Sequence, residues 1–256
     1  MQDYNESDIV PIYNEPSDED IERAEELYMY ILEEKEKEKI PEIVFKYKSI
    51  NSPEDLVRIC DILKNNRMYM PKLKELNDPL ESCVTKWLGN IDERAKKLES
   101  YRVLSLSAEP LLSTMWAYYA NNYSGVCFGF KTKNKFSNIE KVNYFDKQEA
   151  VEWEFCSNCL YKKGKAWKHE AEFRIIRDSN DNNFFDYDAD DLVCVIFGDK
   201  ITAELRNFVE SFIPKHIPIF TVKSDKSNFR LYAERDTKRY CVEELIKELT
   251  TTIKML

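Results

Sequence analysis

Two carboxylates and a guanidinium, Glu170, Glu172 and Arg174, stand two residues apart in the stretch KGKAWKHEAEFRII, which opens on Lys163 and contains Trp167. The stretch passes from basic, loop-like residues into alternating apolar and charged ones. Alternation predicts a half-buried strand, because successive side chains point to opposite faces. Glu170, Glu172 and Arg174 then share one face at steps of about 7 Å, and Ala171, Phe173 and Ile175 share the other. Such a face is either solvated surface, its ion pairs contributing about a few tenths of a kcal/mol each, or a site.

Three other constellations carry chemistry-bearing groups. In Asn77-Asp78-Pro79-Leu80-Glu81, Asp78 reads as a helix N-cap with Pro79 at the first helical position, and Asn77 adds an amide that capping does not need. Met115-Trp116-Ala117-Tyr118-Tyr119 sets Trp116 and Tyr119 on one helix face, suited either to core packing or to stacking on a planar ring. Cys156-x-x-Cys159 lacks a second such pair and has only His169 nearby, so a four-ligand zinc site is incomplete and no metal is expected. With only His169 and His216 in the chain, no Ser–His–Asp or Cys–His nucleophile signature is legible. Glu170, Glu172 and Asp78 leave a metal-dependent hydrolase or nuclease open as an alternative.

The elements that must position these groups follow from the pattern. Strands are predicted over 42–47, 68–70, 101–107, 125–130, 141–145, 192–197, 217–222 and 229–232. Helices are predicted from Ser52-Pro53 to Asn65-Asn66 and over 113–123, 148–161, 202–213 and 242–253. Strands and helices mix without strict βαβ alternation, which indicates an α+β fold on a largely antiparallel sheet. Residues 1–16 read as a loose lead, and Ser17 starts a helix whose apolar stripe includes Ile21, Ala24, Leu27 and Tyr28.

Of the 256 residues, the first 40 hold 14 acidic and 4 basic side chains, and the remainder 33 and 34. The chain thus divides into an acidic lead with an amphipathic helix (1–40) and a near-neutral single α+β domain (41–256). The helix is docked on its own domain or offered to a protein partner. A near-neutral body argues against broad non-specific duplex binding. Five glycines and the absence of GxGxxG and GxxxxGK[ST] exclude the usual phosphate-binding loops. No apolar run of about 18 residues exists to cross a membrane, MQDYNESDIV does not read as a secretory signal, and seven scattered cysteines fit a reduced, cytoplasmic setting.

The order FKYKS, LxxNDPLE, SLS, MWAYYANNYSGVCFGF and KxxxWxxExEFR resembles the bacterial domain-of-unknown-function family 2971, over roughly residues 43–240. The strand–helix–strand opening, the aromatic middle and AEFRII followed by DLVCVIFGD further resemble ADP-ribosyltransferases, most of all their DNA-modifying toxin branch. That resemblance implies a split, mainly antiparallel sheet with flanking helices and NAD as the substrate cofactor. It implies transfer to a macromolecular acceptor, nucleic acid or protein, in a toxin or phage-defence setting. It makes Glu172 the catalytic carboxylate, with Glu170 the runner-up. Arg174 becomes a group that orients the carboxylate or pairs with a phosphate, Lys46 and Lys48 ligand-holding groups, Tyr47 and Tyr118 or Tyr119 ring contacts, Trp116 and Trp167 further ligand-binding residues, and Asn77 and Asp78 the pocket rim. A fixed carboxylate suits that chemistry, because breaking the nicotinamide–ribose bond builds positive charge on the ribose. The opening strand carries no histidine, a departure from the His–Tyr–Glu pattern. The alternative to turnover is a module that senses a nucleotide or binds a protein without catalysis.

Overall fold

IVFKYK alternates, and as strand β1 (Ile43–Lys48) it divides its side chains between the two faces of a sheet. Val44 enters one core, while Ile43, Phe45 and Tyr47 enter another on the opposite face. The computed structural model describes residues 17, 19, 21–28, 40–78, 80, 98–146, 160–178 and 182–255. The chain divides into two compact units, Met1–Lys39 and Ile40–Leu256. In the first, residues 21–28 are helical, and Ile21, Leu27 and Tyr28 are exposed. The expected loose lead over 1–16, the end of the acidic helix, the helix after Pro79, most of the 148–161 helix and the Cys156–Cys159 pair lie outside the described residues.

In the second unit, β1 is followed by α1 (Pro53–Asn65), β2 (Arg67–Tyr69), β3 (Tyr101–Ser107), α2 (Ser113–Tyr119) and β4 (Val126–Lys131). Next come β5 (Glu140–Lys141), β6 (Asn143–Phe145), β7 (Lys162–Gly164), β8 (Glu172–Asp178), β9 (Phe184–Asp186) and β10 (Leu192–Phe197). The chain closes with α3 (Ala203–Glu210), β11 (Ile219–Asp225), β12 (Arg230–Arg235), β13 (Lys238–Tyr240) and α4 (Val242–Met255). Ser52 caps α1 by accepting the Asp55 N–H, and Pro53 stands where a helix needs no donor. The helix begun at Ser113 ends at Tyr119, short of the expected 123, because Asn121, Asn122 and Tyr123 all adopt positive φ.

Nine strands form one sheet in the order β13-β12-β11-β10-β4-β1-β3-β8-β5. Its pairs are antiparallel except β10 with β11. This is the expected α+β class on a mainly antiparallel sheet. One face packs Leu104, Leu106, Phe128 and Phe173 against Ile59 and Ile62 of α1. The other packs Phe45 and Phe220 with Trp116 of α2 and Leu245 and Leu249 of α4.

The hydrogen-bonded order is continuous, yet its joints are unequal. β1 pairs with β4 from Ile43↔Lys131 to Lys48↔Val126, and β3 with β8 from Tyr101↔Asp178 to Ser107↔Glu172. Between β1 and β3 the register holds at Phe45↔Ser107 alone. The two strands therefore meet at one point and diverge beyond it, and side chains of both reach the resulting space.

Gly125 fixes the end of β1 against the turn after α2. A Cβ there would stand 2.2 Å from the Lys48 carbonyl oxygen and 2.9 Å from that of Ala120, both main-chain atoms. We expect Gly125→Ala to destabilise by about 1–3 kcal/mol, as overpacking against backbone does. A urea midpoint equal to that of the parent would contradict this.

Candidate functional site

A cleft of about 660 Å³ opens beside the β1–β3 joint. β1 contributes Lys46 and Lys48, α1 contributes Asp55 and Arg58, and β3 contributes Ser105 and Ser107. Tyr118 and Tyr119 come from α2, Tyr69 from β2, and Glu75 and Asn77 from the turn after it. Lys163, Glu170 and Glu172 line it as well.

The two glutamates reach it by a route the alternation did not foretell. A strand running through Glu170 was expected; instead Lys165–Glu170 is a 3₁₀ helix, and β8 begins at Glu172. Ala171, between them, is left-handed at φ 44° and ψ 50°. For alanine that conformation costs on the order of 1–3 kcal/mol. Neighbours hold it there: the Ala171 N–H donates to Lys168 O and its carbonyl accepts from Ala108 N–H. The Ser107 hydroxyl donates to the Glu170 carbonyl at 2.7 Å, and the Glu172 N–H donates to Tyr144 Oη at 2.9 Å.

The solvated-face alternative fails on burial, since Glu170, Glu172, Arg174 and Lys163 are 3%, 4%, 1% and 6% exposed. Their charges alternate along one chain of contacts. Arg174 holds Glu172 by Nε to Oε1 at 2.7 Å and Nη2 to Oε2 at 2.9 Å, a two-point grip. Lys163 Nζ bridges Glu172 Oε2 at 3.2 Å and Glu170 Oε2 at 2.5 Å. On the far oxygen of Glu170 the Tyr119 hydroxyl donates, and that hydroxyl accepts from Asn77 Nδ2. The quartet sums to zero charge.

Burial alone would raise the Glu172 carboxyl. The Arg174 charge and hydrogen bonds, Lys163 and the Ser105 hydroxyl outweigh it and bring the pKa down to about 2. Glu172 is ionised throughout the physiological range. Lys46 donates from Nζ to the Ser105 carbonyl at 2.7 Å, spanning the β1–β3 joint. Burial lowers its ammonium to about 8 against the pull of Glu172 and Glu170. Lys48 falls to about 7, through burial first and then Lys46 and Arg58. Burial, and then Glu170, push the Tyr119 phenol well up, so it stays protonated.

Of the residues expected at a site, Glu170, Glu172, Lys46, Lys48, Asn77 and Tyr119 share this cleft. Tyr47 also lines it, but its hydroxyl is committed to Glu109 O at 2.6 Å and its ring meets Trp116 edge-on at 5.3 Å. Four of the expected residues lie outside the lining. Trp116 is core, fully buried, with its indole N–H on Pro110 O at 2.9 Å. Asp78 is buried and accepts from Leu80 N–H at 2.9 Å, away from the lining. Trp167 lies 5.0 Å from Lys163 Nζ and covers the ammonium from outside the cleft. Arg174 grips Glu172 and is not among the lining residues, which fits the carboxylate-orienting role of its two expected ones.

Sequence reasoning noted Lys163 without giving it a role, and missed Ser105, Ser107, Arg58 and Tyr69. Ser-Leu-Ser carried a usable signal, because alternation places both hydroxyls on one strand face. Nothing local marked Arg58 or Tyr69. Their guanidinium and ring stack at 5.2 Å across the α1–β2 turn.

Among the described residues no three His, Cys, Asp or Glu side chains gather in a way that would hold a metal ion. Nor is any described helix long and apolar enough to cross a membrane. Comparison with protein-family models, with curated proteins and with solved structures finds no match to this chain.

Proposed function

We propose that the cleft binds a phosphate-bearing nucleotide, NAD in the first instance, and that the chain acts as an ADP-ribosyltransferase-like enzyme on a macromolecular acceptor. The observation that carries this is the gathering of cations, carboxylates and tyrosines in the lining of one cleft. Lys46, Lys48 and Arg58 line it together with Glu170 and Glu172, and Tyr69, Tyr118 and Tyr119 join them in the lining. The cations suit a pyrophosphate, the tyrosines suit a flat ring, and fixed carboxylates suit the cationic character of a ribose losing nicotinamide. The volume falls in the range of small-molecule sites.

Geometry divides the carboxylates between two roles. Glu172, gripped by Arg174 and Lys163, supplies a permanent fixed charge. Glu170 has one oxygen on Lys163 and the other on Tyr119, a neutral partner through which it can take up a proton.

A second reading, nucleotide sensing without turnover, is favoured by one fact: both oxygens of Glu172 are already engaged. One experiment separates the two. NAD is titrated calorimetrically into the parent chain, Glu170→Gln and Glu172→Gln, with nicotinamide release followed alongside. Turnover in the parent, reduced on the order of a hundredfold or more in both variants, supports the enzyme. Binding without release supports the sensor, and no binding by the parent removes both.

A further inference from the structure

The Tyr119 hydroxyl is placed where a proton would have to pass. A phenol has one hydrogen to donate and two lone pairs to accept with. Tyr119 gives its hydrogen to Glu170 Oε1 and accepts from Asn77 Nδ2, so the described hydrogen bonds leave one lone pair. Both residues line the cleft, but Tyr119 is half-buried whereas Glu170 is 3% exposed. The phenol is the more accessible end of the pair to an incoming nucleophile.

We propose that Tyr119 is a catalytic proton relay between the acceptor and Glu170, an inference that rests on the NAD reading of this cleft. In the step, the bond between the ribose carbon and the nicotinamide nitrogen breaks, and its electron pair leaves with neutral nicotinamide. The acceptor heteroatom forms the new bond to that carbon. Its proton passes to Tyr119 Oη as Tyr119 passes its own to Glu170 Oε1, and Glu170 afterwards releases it to water. NAD and the protonated acceptor thus yield ADP-ribosylated acceptor, nicotinamide and one proton. Lys163, held on the other Glu170 oxygen, keeps the carboxylate oriented throughout. The role differs from ring stacking on the ligand, which needs the aromatic face and not the oxygen.

That difference sets the test, which uses the full chain and Tyr119→Phe. Nicotinamide release is measured with water as the acceptor and again with azide, an anion that attacks without losing a proton. With water, we expect Tyr119→Phe to lose on the order of a hundredfold in kcat, with KM for NAD within about twofold of the parent. With azide, the variant should recover to within about tenfold of the parent, since no proton has to move. Unchanged turnover with water would overturn the relay. So would an equal loss with water and azide, which would mark Tyr119 as a positioning or stacking residue. No nicotinamide from the parent with either nucleophile would sink the NAD reading itself, and the relay with it.

Discussion

Arg174→Met is expected to cost about 3–5 kcal/mol of folding stability, the loss typical of a buried ion pair from which one member is removed. Arg174 is a fully buried charged side chain, and its removal leaves Glu172 with Lys163 as its one ion-pair partner and the Leu160 carbonyl without its 2.7 Å donor. Urea unfolding monitored by tryptophan fluorescence reads the change directly. The double variant Arg174→Met with Glu172→Leu should recover much of the loss, because an apolar pair of similar volume leaves no buried charge uncompensated. The acid limb supplies a second reading. Glu172 has a folded pKa of about 2, below its ordinary value near 4.5, so it contributes stability above about pH 4.5 that is lost as pH falls through about 2. In Arg174→Met that acid-dependent part should shrink. A variant within about 1 kcal/mol of the parent would show that the two-point grip contributes little to the fold.

The second large effect is on ligand affinity. Lys46→Met and Lys48→Met should each weaken NAD binding by about ten- to a hundredfold, equivalent to about 1.4–2.7 kcal/mol, and leave the fold at least as stable. The sign follows from the lowered pKa values of about 8 and about 7. A base whose folded pKa lies below its unfolded one opposes folding while charged, so parent stability rises as pH climbs from about 7 toward 10.5. Binding has the opposite dependence. An anionic ligand needs both ammonium groups, and its affinity should be flat below about pH 6.5 and fall as pH rises through 7 and 8. Calorimetric titration across that range checks both statements. An affinity that does not change with pH, or lysine variants that bind as the parent does, would remove the two lysines from the site.

Much of the framework is legible in the residues because it is local. IVFKYK, YRVLSLS and LVCVIF read as strands from period and β-branching, and Ser52-Pro53 reads as a helix start from capping chemistry alone. The site was legible in part. Glu170 and Glu172 stood out by type and spacing, but the alternation that singled them out described the backbone incorrectly. A left-handed alanine leaves no mark in sequence, since its conformation is held by a local bond to Lys168 together with one from Ala108, a neighbour brought by folding. Trp116 shows the converse limit. An aromatic run serves a core as well as a ligand, and only the indole bond to Pro110 decides which. Lys163 opened the stretch first noticed, yet its bridging role depends on β7 lying beside β8's first residue, a tertiary fact.

The lone register pair Phe45↔Ser107 has a mechanical consequence. A sheet resists bending in proportion to the ladder that joins its strands, and this joint is the shortest in the nine. The strands on the β4 side and those on the β8 side are joined there by one backbone pair, by the apolar core they share and by the tie from Lys46 to Ser105. At that joint side chains carry more of the connection than the ladder does. A molecule that grips the lysines with one end and Glu170 with the other works as a strut, and stiffens the sheet where it is most compliant.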